Sequence, residues 1–193
     1  RSNRIVDQIG ERLGETGGFV MELFRPGAFS ENDRAFLVCG KVRLIHAFSR
    51  YFILKYAKDW NPDFGKPVNQ EDMLGTNLAF SFIVLRGLTK MGFAPTEDEQ
   101  KTVLAYWKWI GELMGIDVSF WPETPKEAFE LDRIIRKRHL KSSAAGQKLI
   151  NSLIRFYQET IPDAVLSDRI QPILSFFLGK EASLALGISY KPF

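Results

Sequence analysis

Cysteine is almost missing from this sequence: Cys39 is the only one in 193 residues. A single thiol excludes an intrachain disulfide and a cysteine-built zinc site, the two usual staples of small secreted domains. Histidine is nearly as scarce, which narrows any imidazole chemistry to His46 and His139. Long apolar runs are absent as well. The nearest, at 78–85, is interrupted by Arg86 and Gly87, short of the roughly 18 to 20 residues needed to cross a bilayer. No transmembrane segment is therefore expected, while peripheral membrane contact stays open. Charge of one sign is not in excess either. The formal net charge is +3 and the basic residues are spread along the chain, which argues against nucleic acid as a partner. The chain opens on Arg1 with no initiator Met and no charged-then-apolar leader. It is read as lacking N-terminal residues, and its compartment stays undetermined.

Apolar residues make up 45% and charged residues 25% of the chain, an ordinary composition for one globular domain, and residues 1–193 are expected to form a single domain. Apolar positions recur at helical spacing over 5–24 and 33–58. Arg25-Pro26-Gly27 breaks the first helix, and Ser30 is a candidate cap for the second. Gly10, Gly14, Gly17 and Gly18 weaken the first helix, at up to about 1 kcal/mol each, which points to a break or a close approach. Asn69 can cap a third helix reaching 91, and Thr96 with Glu99 forms a capping box for a fourth that Gly115 closes. Thr124 and Pro125 open a fifth. Further helices fit 144–160 and 164–178, with a short one after Lys180. No segment alternates with period two, so the fold class is all-α, a bundle of about seven or eight helices.

The second helix is apolar almost all round between Ala35 and Ala57, the pattern of a buried central helix. Arg43, His46 and Arg50 stand at i, i+3 and i+7 of one face, so an imidazole and two guanidinium groups project in similar directions. Buried cations need acidic or metallic partners. A haem answers that need, its iron on the imidazole and its propionates on the arginines. Internal ion pairs to neighbouring carboxylates, with His46 as a hydrogen-bonded core residue, answer it equally. His139, in Arg136-Lys137-Arg138-His139-Leu140-Lys141, and the Glu97-Asp98-Glu99 run both sit where a helix dipole favours their charge. Trp107, Trp109, Trp121, Phe80, Phe82, Phe176 and Phe177 supply apolar bulk for a core or for the wall of a hydrophobic channel.

Several segments carry a resemblance. The run Lys41-Val42-Arg43-Leu44-Ile45-His46-Ala47-Phe48-Ser49-Arg50 is followed by Gly65-Lys66-Pro67-Val68-Asn69-Gln70-Glu71-Asp72 and Thr76. Later come Trp107-Lys108-Trp109-Ile110-Gly111, Leu113-Met114-Gly115-Ile116 and the turn at 122–128. Together they resemble the family of latex clearing proteins (rubber oxygenases) and fungal mycophenolic-acid-pathway oxygenases, over about residues 9–129. The resemblance implies an all-α fold holding haem b, with dioxygen as co-substrate. It implies that His46 is the iron ligand and that Arg43, Arg50 and Thr76 hold the haem. Arg12 and Thr16 resemble the distal arginine and threonine of rubber oxygenases, on the oxygen and substrate side. Glu15 stands where a rubber oxygenase has a lysine, and an upstream glutamate has no counterpart, both of which argue against rubber itself. The expected activity is oxygenation of a hydrophobic small-molecule or polymeric substrate, isoprenoid or alkenic, with oxidative C=C cleavage as the reaction. The alternative is a haem-free helical lipid-binding or interaction module that keeps the fold. Haem used for electron transfer or peroxidase turnover is a third reading, and no further histidine is placed to serve as the second ligand that would favour it.

Overall fold

Capping residues and backbone breaks set the helix ends in the computed structural model, which describes residues 4–30 and 33–190. The elements are α1 (Arg4–Asp7), α2 (Ile9–Leu23), α3 (Arg34–Tyr56), a 3-10 turn (Pro62–Phe64), α4 (Gln70–Phe80), α5 (Phe82–Lys90), α6 (Glu97–Met114), α7 (Pro125–His139), α8 (Ala144–Thr160), α9 (Ala164–Asp168) and α10 (Ile170–Ala185). The described residues contain no strand, so the all-α expectation holds.

The anticipated caps at Asn69, Thr96, Gly115 and Thr124 are all in place. Asn69 accepts from the Asp72 N–H at 2.9 Å, Thr96 and Glu99 form the reciprocal capping box, and Gly115 closes α6 at φ 79°. The Thr124 hydroxyl accepts from the Glu127 N–H at 3.2 Å. Asp33, not Ser30, caps α3, from the left-handed region and without a side-chain bond; Glu31 and Asn32 lie outside the described residues. Three expected helices are divided, the first of them at Gln8, between α1 and α2. Ser81 separates α4 from α5, its buried hydroxyl donating to the Asn77 carbonyl at 3.0 Å, a back-bond that bends helices. Arg169 separates α9 from α10, and α10 turns again at Gly179, whose φ of 79° only glycine adopts without strain.

Backbone contacts divide the chain into two compact units, Arg1–Met21 with His139–Phe193, and Glu22–Arg138. In the Glu22–Arg138 unit α6 is the hub, with α3, α4 and α5 packed on it. Its Leu104, Trp107 and Ile110 are buried, each stabilising by roughly 1.5–3 kcal/mol. Polar groups there are matched: Asn77 donates to the Trp107 carbonyl at 2.7 Å, and the Trp121 indole to that of Leu104 at 2.8 Å. In the other unit α8 is the hub, contacted by α1, α9 and α10. A Cβ at Gly10 would lie 2.4 Å from the Phe156 ring, so one of the four early glycines does mark a close approach; Gly14, Gly17 and Gly18 face open space.

The expectation of a fully buried second helix is corrected. In α3 only Ala35 and Cys39 are buried, whereas Leu44, Ile45, Phe48 and Phe52 are each more than half exposed. The reason is coverage. Within its unit α6 is the main neighbour of α3, and one neighbour covers one stripe of a helix.

Candidate functional site

The covered stripe of α3 carries the imidazole. Steps of three or four residues lead from buried Ala35 and Cys39 through Val42 to His46, and on to Ser49, Arg50 and Ile53, all at least partly buried. His46 Nδ1 is sealed from solvent and meets no hydrogen-bond partner among the described residues. Burial, and then the neighbouring Arg50 charge, push the imidazole below its ordinary pKa of 6.5, so it is neutral at pH 7. Neutral imidazole is the ligating form.

Arg50 reaches away from its own helix to stabilise a strained turn. Its Nη2 donates to the Val68 carbonyl at 2.7 Å, and Val68 sits at φ 53°, where a β-branched residue is strained. The next residues, Asn69 and Gln70, begin α4. Asn69 Nδ2 also donates to the Lys66 carbonyl at 3.1 Å, which folds the 66–69 turn onto itself. Gln70 then spans to the end of α6: its amide donates to the Gly115 carbonyl at 3.0 Å and accepts from the Asp117 N–H at 2.8 Å. Arg43 comes to the same place, since a Cβ on Gly115 would lie 3.2 Å from its guanidinium carbon. A cation there complements the carbonyl end of α6.

These contacts knit α3, the 65–72 segment and the α6 terminus into one frame around His46. Arg43, His46 and Arg50 thus share one helix, with the Arg50 guanidinium bonded to the Val68 carbonyl and that of Arg43 lying beside Gly115. Thr76 is on α4, exposed, its hydroxyl donating to the Asp72 carbonyl at 2.8 Å. Among the described residues no three His, Cys, Asp or Glu side chains converge as a metal site. An iron carried by a porphyrin needs only one protein ligand, and the unpartnered, neutral His46 fits that demand.

Arg12 and Thr16 belong to the other unit. Both line an apolar cavity of about 340 Å³ beside α8. Arg12 Nη1 pairs with Glu15 at 2.5 Å, both side chains half exposed, and the Thr16 hydroxyl donates to the Arg12 carbonyl at 2.9 Å. His139 is exposed at the end of α7, and the Glu97-Asp98-Glu99 run occupies the first turn of α6, as the dipole argument expects. Of the aromatic residues Trp107, Trp121 and Phe82 are core, while Trp109 and Phe177 are over a third exposed.

Sequence reasoning gave no role to Gln70, Asn77 or Gly111. Gln70 stood inside a quoted motif, but its partners are 45 and 47 residues away, and periodicity carries no such signal. Gly111 is small because the Asn77 amide lies 2.9 Å from where its Cβ would be.

The fold and this frame define an all-α protein with one imidazole, its Nδ1 buried, on the covered stripe of α3. Residues 1–190 match the model of the family described as ER-bound oxygenase mpaB/B'/Rubber oxygenase, catalytic domain, and the chain belongs to that family. No curated protein and no solved structure matches it. Membership makes it an oxygenase-family domain, with dioxygen as the co-substrate such a family implies. Among the described residues no helix is long and apolar enough to cross a membrane.

Proposed function

We propose that this chain is a haem b-dependent oxygenase that acts on a hydrophobic substrate, isoprenoid or alkenic, and cleaves a carbon–carbon double bond. The observation that carries the reading is His46: a neutral imidazole with an unpartnered buried nitrogen, in a chain whose family is oxygenase catalytic domains. His46 holds the iron. Arg43 and Arg50 pair with the propionates by charge-assisted hydrogen bonds, and Thr76 is a further haem-holding residue. Arg12 and Thr16 are assigned to the oxygen and substrate side by the family likeness, a guanidinium being able to hydrogen-bond polar oxygen. The haem supplies dioxygen activation, and the protein supplies ligation, orientation and dryness. Cleaving C=C with dioxygen places one oxygen atom on each carbon and consumes no external reductant. The family match runs across both units, which supports reading residues 1–193 as one catalytic domain.

The test is the visible spectrum of the purified protein, with a pyridine haemochrome assay. A Soret band with near-stoichiometric haem b is expected, lost in His46→Ala while far-ultraviolet circular dichroism keeps its helical signal. A His46→Ala protein that retains its haem removes His46 from the site. The apolar cavity favours one second reading, a haem-free lipid-binding module, which predicts a colourless protein that takes up no added haemin.

A further inference from the structure

The cavity beside α2 and α8 has the make-up of a site for an amphipathic molecule. Ile9, Leu13, Leu149, Ile150, Leu153 and Leu186 wall it, and Gly146 completes the wall without a side chain. Arg12 and Thr16 are the polar residues of the described lining. At about 340 Å³ it falls at the small end of ligand sites, which span roughly 300–1,000 Å³. Allowing roughly 30 Å³ for each heavy atom, the share of a water molecule in the liquid, it holds about eleven.

The polar end of the cavity discriminates. Thr16 spends its proton on the Arg12 carbonyl, so its oxygen offers lone pairs only. Donation to a ligand falls to Arg12. Its guanidinium has five N–H donors, and among the described residues Glu15 engages it through Nη1 alone. The ligand's polar end must therefore be an acceptor, and the group that matches a planar fork of donors is a carboxylate. Arg12 is half exposed, which lets the head stay at the rim while the tail fills the apolar part. Glu15 is then a competitor for the same cation.

We propose that this cavity binds a medium-chain monocarboxylate, an unbranched acid of about eight to ten carbons, tail inward and carboxylate on Arg12. The proposal goes beyond the oxygenase reading: an unbranched acid is neither isoprenoid nor in need of a double bond, so it is a further ligand of this cavity and not the substrate that is cleaved.

Isothermal titration calorimetry of the full chain with sodium decanoate and with 1-decanol, both below their aggregation limits, tests it. Decanoate is expected to bind at least about tenfold more tightly, the effect of one charge-assisted contact. Arg12→Gln erases that preference, Glu15→Gln widens it, and Leu153→Trp, which fills the cavity, blocks both ligands. Equal binding of acid and alcohol, a preference that survives Arg12→Gln, or no binding of decanoate each overturns the proposal. Arg12→Gln alters a half-exposed side chain, so it decides the matter even if Leu153→Trp does not fold. Measuring haem uptake and decanoate binding on the same wild-type sample separates the two readings: decanoate binding by a protein that takes up no haem sinks only the cofactor, and haem without decanoate binding sinks only this site.

Discussion

At the scale of single residues, the most consequential positions are those where segments distant in the chain meet. Arg50 is one, holding the Val68 carbonyl across a strained turn. Arg50→Ala leaves a partly buried carbonyl without its charged donor, and a loss of about 1.5–3 kcal/mol is expected, read from urea denaturation midpoints at unchanged slope. Gly10 is another. A Cβ there overlaps the Phe156 ring, so Gly10→Ala should cost about 1–3 kcal/mol from overpacking. Adding Phe156→Leu should recover most of it; two independent losses that simply add would show that the ring is not what requires glycine at position 10. Neither role was legible in the sequence, where Arg50 reads as one of two cations on a face and Gly10 as one of four helix-weakening glycines.

At the scale of elements, local chemistry set the helix starts well. Thr96 and Glu99 form the capping box that their spacing announces, because a cap needs only residues three apart and the N–H groups that every helix leaves unpaired. The Thr96 backbone and then hydroxyl hydrogen bonds hold the Glu99 carboxyl below its ordinary 4.5. A depressed carboxyl contributes stability that is complete above its unfolded value and is lost as pH falls through the folded one. Thr96→Ala removes the hydroxyl that caps the Glu99 N–H and should cost about 1 kcal/mol near neutrality, with its Tm deficit narrowing below pH 4.5; a deficit constant from pH 7 to pH 3 would show that the hydroxyl's bond to the carboxylate contributes nothing, the Thr96 N–H bond being kept in the variant. Burial was less legible. The composition of α3 says that it is apolar nearly all round, but what covers each face depends on neighbours, and within its unit α6 covers one stripe. Likewise the break at Ser81 falls inside an apolar pattern that continues on either side, whereas the one at Gly179 lies where the helix over 164–178 is expected to end.

At the scale of the whole molecule, the cofactor reading makes a thermodynamic prediction. A ligand held by the folded chain alone stabilises it by mass action, so Tm should rise with the fraction of haem loaded, and His46→Ala should show no such rise. Loading that leaves the wild-type Tm unchanged would mean haem adheres without using the folded site. The sequence by itself determined the all-α class, the positions of the capped helix ends and the family likeness, because these rest on spacings of a few residues and on motifs contiguous in the chain. Only the tertiary structure decided that His46 lies on the covered stripe of α3 with an unpartnered nitrogen, and that Gln70 and Arg43 meet at the end of α6. It alone brought Arg12 and Thr16 to an apolar cavity against α8. Each of these depends on segments tens of residues apart coming into contact, and burial, pKa and hydrogen-bond satisfaction are properties of such contacts, not of local sequence.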